Sequence, residues 1–139
     1  MAVTATPIFP QTLTNTPVTI LPADTTTLKT AYTAGSNGSK LEAIYVTNTD
    51  SASAYSVQIN ITISSTSYLL GTVNVPLSAG NTTAAPNVNL LASTNLNLPK
   101  DANGNPYIYL LASAIVKVGV LVAVNSGKVV TFITQGEDF

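Results

Sequence analysis

Apolar and polar residues alternate along this chain with a period of two far more often than with the period of about 3.6 residues that marks a helix. The clearest run sets Tyr55, Val57, Ile59, Ile61 and Ile63 against Ser56, Gln58, Asn60, Thr62 and Ser64, which predicts a strand with one buried face. Tyr68 to Val75 continues the pattern through Leu69, Val73 and Val75 and is predicted to be its hairpin partner, with Gly71 marking a bulge or a close backbone approach. Upstream, Leu28 to Thr33 leads into the turn cluster Ala34 to Ser39, where Gly35, Asn37 and Gly38 adopt positive φ at little cost. Lys40 to Asn48 then places Ile44 and Val46 on one face and Ala43, Tyr45 and Thr47 on the other. Regularity lapses after Pro76: Ser78 to Pro86 reads as a turn-rich loop, and Asn87 to Ala92 as a short helix or an irregular strand. Tyr107 to Ala112, Ala114 to Val124 and Val129 to Gln135 are predicted strands. Asn125-Ser126-Gly127-Lys128 is expected to join the last two as a tight hairpin, and Val116, Val118, Val120, Val122 and Val124 to form a core-facing row.

The first 21 residues differ from the rest. Pro7, Pro10 and Pro17 among threonines favour extended backbone and oppose helix, so residues 1–21 are expected to form an N-terminal arm or an edge strand. Ile8, Phe9, Val18, Ile20 and Leu21 make it apolar enough to pack on this domain's own sheet or on a neighbouring subunit. Residues 22–139 form the domain proper, with about eight short strands separated by turn signals. The predicted fold is all-β: a single-domain antiparallel β-sandwich or jelly roll with an extended N-terminal arm. No internal repeat points to a solenoid or propeller.

Composition narrows the chemistry. The chain has 139 residues, of which 45% are apolar and only 8% charged, with a formal net charge of -1. An ordinary domain carries about 25% charged residues, so this surface is expected to be mostly neutral and polar. The sequence contains neither His, Cys, Trp nor Arg, which removes the usual proton shuttle, thiol nucleophile, soft metal ligand and phosphate fork. Its isolated lysines, Lys29, Lys40, Lys100, Lys117 and Lys128, cannot build the concentrated positive field that nucleic acid requires. The first twenty residues lack a basic segment and are broken by proline, unlike a signal peptide, and no apolar run reaches membrane-spanning length. Synthesis in a cytoplasm, with neither nucleic acid nor membrane as partner, is the expectation.

The candidate motifs lead to the same place. Asp101-Ala102-Asn103-Gly104-Asn105 opens like a calcium loop, but Pro106 and Ala112 stand where that loop needs Gly and Glu, so a turn is expected. Gly35 to Lys40 lacks the spacing of a phosphate-binding loop. Asn37, Asn60 and Asn81 match the glycosylation pattern, which a chain so rich in threonine produces by chance. Glu42, Asp50 and Asp101 lie beside turns and strand ends, where carboxylates normally face water, so no glycosidase pair is read from them. Carbohydrate binding would rest on Tyr32, Tyr45, Tyr55, Tyr68, Tyr107 and Tyr109, most of which sit where strands are expected to bury them. The reading is a non-enzymatic protein without catalytic, cofactor or metal residues, whose function is its surface.

The segments Tyr32 to Lys40 and Ile44 to Asp50, with Asp101 to Tyr107 later, resemble small virion proteins of tailed bacteriophages, most closely the capsid cement, or decoration, proteins. The resemblance implies a jelly-roll domain on the outer capsid surface, bridging neighbouring copies of the major capsid protein and stabilising the shell; self-association as a dimer is a separate expectation. The alternative that the resemblance also accommodates is a tail or head-fibre component that binds a receptor or glycan. On the cement reading, Ile8, Phe9, Leu90 and Leu91 are the expected capsid-contact residues, because the arm and the irregular Ser78 to Pro106 region offer apolar side chains without a clear place in a sheet.

Overall fold

The computed structural model describes residues 9–139. Among the described residues nine strands run in chain order: β1 (Thr12–Ile20), β2 (Lys29–Thr33), β3 (Ser39–Asn48), β4 (Tyr55–Ile63), β5 (Thr66–Val75), β6 (Val88–Asn89), β7 (Ile108–Leu110), β8 (Ile115–Val120) and β9 (Val130–Asp138). Two single turns of 3-10 helix, Pro22–Asp24 and Leu90–Ala92, are the only helical segments among the described residues. None of the described helices is long and apolar enough to cross a membrane.

The strands form two antiparallel sheets. The first has the order β1-β9-β3-β6, with β7 also pairing β3, and the second the order β2-β8-β4-β5. Because β6 and β7 both pair with β3, they act as two pieces of one interrupted strand. Eight strand positions then remain, paired first with last, second with seventh, third with sixth and fourth with fifth. This pairing is the jelly roll.

The inner faces of the two sheets make one core, in which Ile20, Ile44 and Phe132 of the first sheet meet Tyr32, Val57, Ile59 and Val116 of the second. Two bulges set which side chains enter it. In β3 the register against β9 shifts between Leu41 and Ala43, leaving Glu42 as the extra residue. Leu41 before the bulge and Ile44 and Val46 after it are therefore all buried, which strict alternation does not permit. In β5 the register steps from Ile59–Gly71 to Asn60–Leu69, so Leu70 is the extra residue beside Gly71. Gly71 is also a close approach, since a Cβ there would lie 2.5 Å from Leu96 Cδ2. The β4–β5 hairpin closes through Ser64 and Ser65 at φ 48° and 67°, the two positive values that a two-residue turn matched to strand twist requires.

The C-terminal half departs from expectation. β8 ends at Val120, and Val122 faces solvent, whereas Val124 returns to the core. The Asn125 to Lys128 turn does form, with Lys128 N–H donating to the Asn125 carbonyl at 3.0 Å, but it is not a hairpin. β8 belongs to the second sheet and β9 to the first, so this turn carries the chain across the sandwich. Asn87 to Ala92 combines both expected forms, the short strand β6 followed by a 3-10 turn. At the other end of the chain, β1 is the outer strand of the first sheet, paired along its whole length with β9. Pro17 is accommodated there because an outer strand has only one ladder to complete.

Candidate functional site

The residues expected to contact a capsid divide into two groups. Ile8 lies outside the described residues, and Phe9 stands 69% exposed just before β1. Leu13, on β1 itself, is 76% exposed, so two large apolar side chains project from the start of the first sheet without a place in the core. Leu90 and Leu91 correct the expectation: they are 0% and 1% exposed. The cause is Asn89, whose Oδ1 accepts the Leu91 N–H at 3.1 Å and the Ile44 N–H at 3.3 Å. That side chain caps the 3-10 turn and fastens it to β3, which drives both leucines inward.

On the outer face of the first sheet, β3, β6, β9 and the loop before β7 enclose a cleft of about 200 Å³. Lys40 of β3 crosses it, held by Glu42 at 2.8 Å and lying 5.4 Å from the centre of the Tyr107 ring. The Glu42 carboxylate holds the Lys40 ammonium above its ordinary pKa, so the cation persists through the neutral range. Tyr107 in turn meets Tyr109 edge-on at 5.0 Å. Asp101 forms one rim, where its Oδ1 accepts the N–H groups of Asn103 and Asn105, both at 2.8 Å, and its Oδ2 accepts the Asn105 amide at 3.2 Å. These bonds, the Asn105 backbone first among them, hold the Asp101 carboxyl below its usual range. The calcium-like pentapeptide is thus a turn that satisfies its own carboxylate. Tyr45 and Gln135 complete the lining from adjacent strands.

The tyrosines divide differently from expectation. Tyr32 and Tyr55 are buried, while Tyr45, Tyr68 and Tyr109 are exposed and Tyr107 half-buried. β7 is only three residues long and belongs to the outer edge of the first sheet, so it turns Tyr109 to solvent at 65% exposure.

Two other carboxylates serve the fold. Near the β3–β4 connection the buried Asp50 accepts N–H bonds from Ala52 and Ser53, a hydroxyl bond from Tyr55 at 2.7 Å and an amide bond from Asn125 at 2.8 Å. Together these bonds, led by the Ala52 N–H, lower its pKa to about 2. In β9, Asp138 accepts hydroxyl bonds from Ser39 and from Tyr32 across the sandwich, and they hold its carboxyl below the ordinary value. Burial pushes both tyrosine hydroxyls up, so each remains a donor at neutral pH.

A carboxylate with a depressed pKa in the folded state stabilises the fold above its unfolded value and loses that contribution as protons are added. The melting temperature is therefore expected to hold steady from neutrality down to the ordinary aspartate value of 3.8 and to fall as pH approaches 2. Thermal melts across this range check it. Asp50→Asn should flatten much of the acid limb, and an unchanged limb would remove Asp50 from the account.

Among the described residues, no three His, Cys, Asp or Glu side chains cluster as a metal site would require. The first sheet presents two surface features, exposed Phe9 and Leu13 at and just before the start of β1 and a polar, tyrosine-lined cleft over β3. Comparison with protein-family models, with curated proteins and with solved structures finds no match.

Proposed function

We propose that this chain is a structural virion protein that attaches to the outer surface of a bacteriophage capsid and stabilises it by bridging neighbouring major capsid protein subunits. The observation that carries the reading is the exposed pair Phe9 and Leu13 at the start of an outer strand. Large apolar side chains held out in water are what a docking segment requires, and their burial against a partner is worth about 1.5–3 kcal/mol each. The jelly roll supplies a rigid base for them, and it is an architecture that viral capsid proteins and lectins share. The low charge suits large neutral contacts, and the resemblance to cement proteins supplies the partner.

The mechanism is mechanical. A bound copy, or a dimer of copies, adds interfaces that outward displacement of the shell must break, and binding to the assembled state alone stabilises that state. Modest single contacts suffice, because a dimer that engages two shell subunits turns the second contact into an intramolecular one.

Quantitative mass spectrometry of gradient-purified particles, scaled to the major capsid protein, tests the proposal. A ratio near stoichiometric is the expected result. A handful of copies per particle would move the protein to a tail or a unique vertex, and its absence from particles would end the virion reading.

A further inference from the structure

Beyond attachment, the cleft over β3 has the makings of a second site. Its free hydrogen-bonding capacity is of mixed kind. Asn89 spends its carbonyl oxygen on Ile44 and Leu91, which leaves its amide hydrogens for the cleft. Glu42 uses Oε1 on Lys40, and the Gln135 side chain and the Tyr45 hydroxyl line the cleft from exposed positions. Donors and acceptors thus converge around the tyrosine rings, which offer apolar surface with a polar tip.

Charge and size then select the ligand. Lys40 is already neutralised by Glu42, and Asp101 is engaged by its own turn, so an ionic ligand would have to break a formed pair to be held. An anion would also meet two carboxylates against one ammonium. The volume of about 200 Å³ falls below the roughly 300 Å³ at which sites for drug-sized molecules begin. It admits one ring of a longer molecule. A pyranose ring matches all three demands, being neutral, hydroxylated around its edge and apolar across its C–H face.

We propose that this cleft binds one sugar ring of a neutral glycan, with Tyr107 and Tyr45 as apolar walls and Gln135, Asn89 and Glu42 as hydroxyl partners. The lining includes neither Phe9 nor Leu13, and the site does not rest on the capsid reading.

The test is a backbone-amide NMR titration of the full chain with maltohexaose, chitotetraose and galactotriose, beside sialyllactose and trilysine as charged probes. Saturable shifts confined to residues 40–45, 89, 101–107 and 135, from at least one neutral oligosaccharide, are expected, with a Kd on the order of 1 mM. Gln135→Ala and Tyr107→Ala should weaken binding about tenfold or more, while Tyr68→Ala, on the other sheet, should leave it unchanged. Shifts elsewhere, binding that survives both cleft variants, a response to charged probes only, or no response to any neutral probe would each overturn the proposal. Gln135→Ala is also expected to attach to particles at the wild-type ratio, so failure of the glycan site and failure of capsid attachment are read separately.

Discussion

Removing residues 1–10 is expected to strip the protein from particles, lowering the bound fraction about tenfold or more, while the isolated domain melts as before. The fold should survive because the β1–β9 ladder begins at Thr12 and the Gln11 N–H already bonds the Asp138 carbonyl at 2.8 Å. Attachment should fail because Phe9 leaves with the deleted segment. Leu13→Ser in the full chain should produce a weaker version of the same loss, about fivefold, because one truncated apolar contact typically costs about 1 kcal/mol. Co-sedimentation of purified variants with particles that lack the protein measures both. Full attachment by both variants would remove the start of β1 from the interface and leave the rest of the outer face of the first sheet as the surface to examine.

The largest effect on stability is expected from Phe132→Ala. Phe132 is fully buried on β9, flanked in register by Val18 of β1 and Val46 of β3. Its ring occupies the middle of the inner face, where neighbours on both sides are held by strand pairing and cannot collapse into the space. Truncation should therefore cost about 3–5 kcal/mol. Set against the roughly 5–15 kcal/mol typical of a whole domain, this is a large share of the total. Urea denaturation should show an earlier midpoint at an unchanged slope. A cost below about 1 kcal/mol would mean that the two sheets close over the gap.

Much of this architecture is legible in the order of the residues. The alternation from Tyr55 to Ile63, its hairpin partner and the role of Gly71 follow from side-chain period and backbone chemistry, which act locally. The all-β sandwich class follows from the number of strands and the scarcity of helical periodicity, while the jelly-roll order rests on the long-range pairings. What stays hidden depends on partners distant in the sequence. The Asn125 to Lys128 turn has the chemistry of a hairpin, and only the pairings of β8 and β9 with other strands reveal that it changes sheets. The Glu42 bulge conceals the burial of Leu41 and Ile44 together, because one extra residue inverts the phase of everything after it. Leu90 and Leu91 read as loose apolar residues in an irregular loop, and their burial depends on the pairing of β6 with β3 and on the Asn89 cap. The cleft is the least legible part. Its residues come from four separate stretches of chain, and nothing in the spacing of Lys40, Asn89, Tyr107 and Gln135 announces that they meet.

The position of β9 has a consequence for biosynthesis. This strand lies between β1 and β3 in the first sheet, yet it is made after every other described strand. Until Val130–Asp138 has left the ribosome, β1 has no ladder partner, and the first sheet lacks its second strand. The local β4–β5 hairpin can form early, but pairing across the length of the chain is slow and must wait for these residues to emerge. A prematurely terminated chain therefore cannot mount Leu13 on a formed strand or complete the wall of the cleft that carries Gln135. Synthesis through β9 thus acts as a checkpoint: only copies that contain it complete the first sheet and with it either surface.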